Sequence, residues 1–409
     1  MSRLARARKD LLEIFQAGVA RVEGRHAVQE ALAQMPDQVS LVAIGKAAGS
    51  MAQGALETLG DRVVDGLVIS KPGHLDESAL ESAGLRCLYG GHPLPDQSSL
   101  LAGEALVDFL QGLPAERQLL FLISGGTSGL VEQLREGLDL SSLQRINQWL
   151  LASGLPIGAI NRVRKSLSRI KGGGLVPLLQ DRPARVLLIS DVPGDDPSVI
   201  GSGLLVAEPD SLETVHELAL PDWLRALLPQ QPRPQLPSTD NIRLEIVASL
   251  ADARQAAAER ARELGYPVQV QGSPVVGDVE VVGRRLGYEL IDSWPGVYIW
   301  GGEPTVRLPP EPGRGGRNQH LALCVAEQIA GNRSVCFLAA GTDGGDGPGE
   351  DAGALVDGGT VSRGSRVAGD VRACLARADS GSFLQASGDL LHTGPTGTNV
   401  MDLMIGIKW

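Results

Sequence analysis

The sequence predicts an α/β protein of two units, each built on a largely parallel sheet wrapped by helices, and three observations carry that prediction. Short apolar runs ending in glycine, serine or aspartate alternate with longer segments of helical periodicity. Glycine is frequent, 52 of 409 residues, and clusters just after those runs, where a chain leaving a buried strand must turn tightly. A break at Pro221, Pro229, Pro232, Pro234 and Pro237 removes backbone donors and forbids a continuing helix or central strand, so the linker is expected there, with units 1–235 and 236–409.

Taken in order, the runs at 41–45 (LVAIG), 66–70 (GLVIS), 85–91 (LRCLYGG), 119–126 (LLFLISGG) and 185–191 (RVLLISD) read as buried strands of the first unit. Between them, SLLAGEALVDFL places Leu101, Ala105 and Phe109 four apart, which predicts one helical face against the sheet. Past the prolines, IRLEIVAS leads into ADARQAAAERARELG, where Ala253, Ala257, Ala261 and Leu264 share a face and Gly265 can end the helix. PVQVQ, GVYIWGGE, SVCFLAAGTD and GALVDG read as the remaining strands of the second unit.

Composition excludes several classes of function. Aromatic residues make up 3% of the chain and the net charge is −11, so stacking platforms and a basic field for nucleic acid are both missing. Four scattered cysteines, Cys87, Cys324, Cys336 and Cys374, form no CxxC pair and suggest neither zinc nor a disulfide framework. Asp10 and Glu13 interrupt the basic N-terminus before any signal-peptide core, and no apolar run approaches bilayer length. A cytoplasmic protein, with no membrane partner, is expected.

In open α/β sheets ligands bind beyond the carboxyl ends of the strands, and the strand exits hold the candidate chemistry. Lys46 follows the first run where helix N–H groups favour a phosphate or carboxylate; the alternative is a solvated surface lysine, against which the small neighbours Ala47 and Ala48 argue. Ser124, Gly125, Gly126, Thr127 and Ser128 offer successive N–H groups and three hydroxyls, suited to an anion cradle or to a structural glycine turn. Neither GxxxxGK[ST] nor a GxGxxG directly after a strand is present.

SDVPGDDPS puts Asp191 at a strand end with Asp195 and Asp196 beyond, enough carboxylate for Mg²⁺ held together with substrate phosphates, or else a solvated turn. GTDGGDGPGEDAG, with Asp343 and Asp346, lacks the order of a calcium loop. Arg317 opens a helix whose dipole it opposes, so it needs a reason, and an anionic ligand beside Asn318 would supply one. Asn161, Arg164, Lys165 and Lys171 form either a solvated basic face or an anion site. His92 and His392 read as turn residues. No GxSxG elbow supports a serine hydrolase.

In this order, IGKAA, GGHPLPD, SGGTSGL, NRVRKSLSRIKGGGL, SDVPGDDPSVIGSG, GGEPTV, GGRNQ, GTDGGDGP and TGPTGTNVMDL resemble the D-glycerate 2-kinases whose C-terminal unit is the MOFRL domain, over nearly the whole chain. The resemblance implies two Rossmann-like domains with an inter-domain cleft as active site, ATP and Mg²⁺, and phosphorylation of the C2 hydroxyl of D-glycerate to 2-phosphoglycerate. By position it makes Lys46 and Arg317 the cations facing phosphoryl group and carboxylate, and Asp191 the Mg²⁺ ligand or the acceptor of the hydroxyl proton. Ser124 to Ser128, Asn161, Arg164, Lys171, Glu303, Asn318 and Asp343 become substrate and nucleotide contacts. Homodimerisation stays open. The chain departs from the pattern at Thr127 (a third glycine is usual), Leu204 (GSGP is usual) and Met401 (VND is usual). Some members are labelled hydroxypyruvate reductase, the competing reading; a nicotinamide enzyme calls for the dinucleotide fingerprint that is missing here. A two-lobed binding protein without catalysis is the third reading, and a secreted one would carry the signal peptide not found.

Overall fold

A computed structural model describes residues 2–32, 38–207, 212–231 and 236–409. Two compact units emerge, Gly24–Val247 and the combination of Met1–Glu23 with Ala248–Trp409. This differs from the expected division at both ends. Among the described prolines, Pro221 starts the short helix Asp222–Arg225, whose Leu224 joins Val215, Leu220 and Leu228 in an apolar cluster with Ile146, Leu150 and Val163. The segment is therefore packed structure of the first unit. Pro232 and Pro234 lie outside the described residues.

The unit Gly24–Val247 carries β1 (Val39–Ile44), β2 (Val63–Ser70), β3 (Leu85–Tyr89), β4 (Gln118–Ile123), β5 (Ala184–Ile189) and β6 (Ile242–Ala248) in the order β3-β2-β1-β4-β5-β6. Strands β1 to β5 are parallel, as expected, and the order reverses between β1 and β4. All six residues of β1 (VSLVAI) are buried, because a strand covered on both faces has no solvent side to mark with alternation. IRLEIVAS, assigned to the second unit, is instead β6 at the edge of this sheet, beside β5; Arg185 and Glu245 pair at 2.9 Å. The helix foreseen around residues 100–110 spans Gln97–Gly112, opened by a capping box at Asp96. Its buried stripe is Ala102, Leu106 and Leu110 rather than Leu101, Ala105 and Phe109, so the predicted face is off by one position and Leu101 is exposed.

The other unit carries β7 (Val268–Val270), β8 (Gly296–Gly302), β9 (Val335–Gly341), β10 (Gly353–Asp357), β11 (Leu390–Leu391) and β12 (Asp402–Lys408), ordered β11-β10-β9-β12-β8-β7. This sheet is mixed: β7 and β8 are parallel, but the final strand β12 inserts antiparallel between β8 and β9, and β10 is antiparallel to β9. The N-terminal helix Arg3–Arg21 belongs here. It buries Ala7, Leu11, Ile14, Phe15 and Gly18, an i, i+3, i+4 stripe. Its polar residues are tied in too: Asp10 accepts from the Tyr266 hydroxyl at 2.6 Å, Glu13 pairs with Arg260 at 2.8 Å, and Arg8 bridges Asp357 and Asp389 at 2.5 and 3.0 Å. The helix Leu250–Glu263 buries Ala253, Ala257 and Ala261 as expected. Among the described residues no helix is long and apolar enough to cross a membrane.

Candidate active site

In the unit Gly24–Val247 the reversal of strand order places the exits of β1 and β4 side by side, the position where open α/β sheets bind ligands. Both exits carry sequence-predicted residues. Gly45 leaves β1 at φ +132°, and a Cβ there would lie 2.1 Å from Ser124 Oγ, so only glycine fits. The Lys46 N–H donates to Gly125 O at 2.9 Å and the Ala47 N–H to Ser124 Oγ at 3.0 Å, which lock the two exits together. Ala47 and Ala48 are fully buried, so their smallness serves close packing of this junction.

The loop Ser124–Ser128 is shaped from within. Thr127 is buried, with Oγ1 2.7 Å from Ser124 O and 3.0 Å from Ile44 O; the methyl-bearing residue in place of glycine thus adds a hydroxyl anchor. Gly126 has φ +89°. Among the described residues, no acceptor bonds the backbone N–H groups of Gly125, Gly126, Thr127 and Ser128. A Cβ on Gly126 would stand 3.1 Å from Lys46 Cγ and 3.3 Å from His92 Nε2. His92, read as a turn residue, therefore stands with Lys46 against the loop. The signal was its presence in the GGHPLPD motif.

Not every basic residue of the following segment faces outward. Lys171 is buried: Nζ donates to Glu132 Oε2 at 2.5 Å and to Ser128 O at 2.8 Å, while Glu132 Oε1 accepts from the Ser168 hydroxyl and the Gln133 N–H. Glu132 escaped the sequence reading because a lone glutamate in an apolar run carries no motif. Arg164 lies on the helix Ile157–Leu167, with Nε bonded to Asn147 Oδ1 at 2.9 Å, and burial pushes its pKa down despite the nearby charge of Glu132. Asn161 is half-buried on the same helix, and Lys165 reaches Ser198 O at 2.9 Å. Leu204 is buried in the apolar core, its carbonyl receiving the Leu175 N–H.

Asp191 stands two residues beyond β5, half-buried; Asp196 is engaged by the Ser198 N–H, and Asp195 adopts φ +54°. Among the described residues no three carboxylate, histidine or cysteine groups converge as a metal cage.

In the unit Met1–Glu23 with Ala248–Trp409, antiparallel insertion of β12 brings Asp402 between the ends of β8 and β9. There it meets Arg317, first residue of the helix Arg317–Gln328. Arg317 holds Asp402 bidentately, Nε to Oδ2 at 2.6 Å and Nη2 to Oδ1 at 3.0 Å, and its Nη1 reaches Glu303 Oε1 at 2.6 Å. Burial alone would lower the Arg317 pKa; Asp402 overrides this and holds it well above the ordinary value. Where an anionic ligand was expected to answer this arginine, the chain's own carboxylates Asp402 and Glu303 hold it here.

The helix N-terminus is likewise occupied. Buried Asp346 accepts from the Asn318 N–H at 2.9 Å and the Gln319 N–H at 2.8 Å, and Gly316 is needed because a Cβ would meet Asp346 Cγ at 2.3 Å. Burial pushes the Asp346 carboxyl up to about 7 despite those two donors. Asn318 is fully buried and spends Nδ2 on Asp346, and Asp343 accepts from the Gly345 N–H. Met401 sits at φ +70°, a left-handed conformation that the asparagine usual here tolerates better.

Known proteins resemble this chain over nearly its whole length. Residues 10–230 match a family model described as a domain of unknown function, DUF4147, and residues 296–402 match the MOFRL family. The D-glycerate 2-kinase of Thermotoga maritima is 34% identical over 421 residues, covering 98% of each chain. A protein of Agrobacterium vitis, provisionally named a hydroxypyruvate reductase, is 36% identical over 97% of this chain and 93% of its own. The crystal structure of the Thermotoga maritima glycerate kinase superposes with a TM-score of 0.85 at 34% identity, covering 98% of this chain and 99% of that one. On matches of this extent in sequence and in fold, the chain belongs to the glycerate kinase family with a C-terminal MOFRL part.

Proposed function

We propose that the protein transfers the γ-phosphoryl group of ATP to the C2 hydroxyl of D-glycerate, giving 2-phosphoglycerate and ADP. The observation that carries this reading is the junction of β1 and β4, where Lys46 stands beside a loop presenting the N–H groups of Gly125 to Ser128 with no acceptor among the described residues. Phosphoryl transfer asks a protein chiefly for positioning and for charge opposite the transferred group. The loop amides cradle phosphate oxygens and Lys46 neutralises charge that develops in transfer.

Asp191, two residues beyond the neighbouring strand β5, is the residue that would hold Mg²⁺ brought with the nucleotide, or would accept the hydroxyl proton. A single carboxylate suits Mg²⁺, which usually keeps water and substrate phosphates as its other ligands. In its own unit Arg317 is held by Asp402 and Glu303, and the transfer chemistry proposed here is built from Gly24–Val247 alone. Asn161, in the same unit as Lys46, is a supporting contact. A cytoplasmic location accords with four unpaired cysteines.

Against a nicotinamide reductase stands the β1 exit, GKAAG, which lacks the dinucleotide glycine pattern. Purified protein with MgATP and D-glycerate should form ADP and 2-phosphoglycerate in equal amounts. Formation of neither product, with NADH oxidised on hydroxypyruvate, would overturn the proposal.

A further inference from the structure

We infer that Arg164, oriented by Asn147, is the residue that receives the carboxylate of the acceptor substrate. The inference rests on the kinase reading and assigns the acid group to a place different from Arg317. A small, partly open pocket of about 50 Å³ lies at the end of the Ser124–Ser128 loop, lined by Ser128, Glu132, Asn147, Arg164 and Lys171 against leucine, isoleucine and proline side chains. Its hydrogen-bonding groups are unequal.

Glu132, the only carboxylate in the lining, is satisfied by Lys171, the Ser168 hydroxyl and the Gln133 N–H. The donors are not. Arg164 spends only Nε, on Asn147 Oδ1, and its Nη1 and Nη2 bond no described residue. Asn147 is 4% exposed, and its Nδ2 likewise finds no acceptor among the described residues. Donors that line a pocket and meet no acceptor among the described residues favour a ligand group that accepts.

Size then decides which acceptor. A water needs roughly 10–15 Å³ of such space, so the inner part of this pocket suits a group of a few atoms such as a carboxylate. The planar guanidinium fork, fixed through Nε, offers two parallel N–H groups that match a carboxylate. Arg317 offers no such fork, since Nε, Nη1 and Nη2 are each bonded to the protein's own acids. The apolar remainder of the lining fits the short carbon chain of a small hydroxy acid. Arg164 would thus set specificity for acids over neutral polyols, with Asn147 as its positioning residue.

The test compares wild type with Arg164→Met and Arg164→Lys, using D-glycerate and its uncharged amide with MgATP, alongside calorimetric binding of D-glycerate without nucleotide and a thermal melt. Loss of one charge-assisted contact should raise KM for D-glycerate about 10- to 100-fold in Arg164→Met, with KM for ATP within about twofold and the preference for acid over amide abolished. Arg164→Lys should recover part of that preference. An unchanged KM for D-glycerate, or equal losses for acid, amide and ATP, would overturn the assignment. Should the wild type bind D-glycerate without phosphorylating it, the kinase reading fails, and Arg164 is then judged by binding alone: affinity lost in Arg164→Met supports it, and equal affinity, or no binding by wild type, refutes it.

Discussion

Replacing Lys171 by methionine tests the buried strut beneath the Ser124–Ser128 loop. Both partners of the Lys171–Glu132 pair have side chains only 3% exposed, so removal of the ammonium strands a carboxylate away from water with two neutral donors left, Ser168 and Gln133. Breaking one side of a buried pair costs about 3–5 kcal/mol, most of it the penalty of the unpaired charge. For a unit of this size each kcal/mol lowers the melting temperature by roughly 2–4 °C, so a drop of about 6–20 °C is expected in the transition of Gly24–Val247. The double variant Lys171→Met/Glu132→Leu removes both charges and should recover to within about 2 kcal/mol of wild type. Scanning calorimetry on wild type, the two single variants and the double variant closes the cycle. A loss under about 1 kcal/mol for Lys171→Met, or a double variant as unstable as the sum of the singles, would refute the reasoning.

Three further outcomes follow from named contacts. Gly45→Ala drives a methyl into Ser124 from a glycine-favouring φ, and should cost about 2–4 kcal/mol and most of the activity; a stable, active variant in urea titration and kinetic assay would contradict the packing of the junction. Lys46→Ala should lower kcat far more than it raises either KM, and a pure KM effect in steady-state kinetics would assign Lys46 to ground-state binding instead. Asp346 takes its proton more readily folded than unfolded, with a carboxyl raised from 3.8 to about 7, so its favourable contribution is full below about pH 4 and is lost as pH rises towards 7. Asp346→Asn should lack this decline, and a stability difference between the two proteins that stays flat from pH 4 to 8 would rule it out.

Much of the first sheet was legible because a buried parallel strand is a continuous apolar run that ends in a turn, as β1, β4 and β5 are; β3 (LRCLY), also expected to be buried, is instead an edge strand in which only Leu85 is buried. The direction and partner of a strand are not written in such a run. DLMIGIK, which becomes β12, is apolar between its terminal charges, yet nothing local says that it inserts antiparallel between β8 and β9 and so delivers Asp402 to Arg317. Lys46 and the Ser124–Ser128 loop could be found from strand exits alone, since their positions follow from local chain geometry. Glu132, Asp346 and Asp402 could not, because each acts across 28 to 85 residues of sequence as a partner to a basic or amide group. Proline content misplaced the domain boundary for a related reason: prolines forbid regular hydrogen bonding without forbidding burial, and Leu220, Leu224 and Leu228 bury the segment between them.

The most direct test of the central claim is phosphorus NMR of the product formed from MgATP and D-glycerate, run beside an NADH–hydroxypyruvate assay on the same protein. The account predicts a resonance of 2-phosphoglycerate growing in step with ADP, and no oxidation of NADH. NADH consumed on hydroxypyruvate with ATP left intact, or phosphate found on the C3 oxygen, would contradict it.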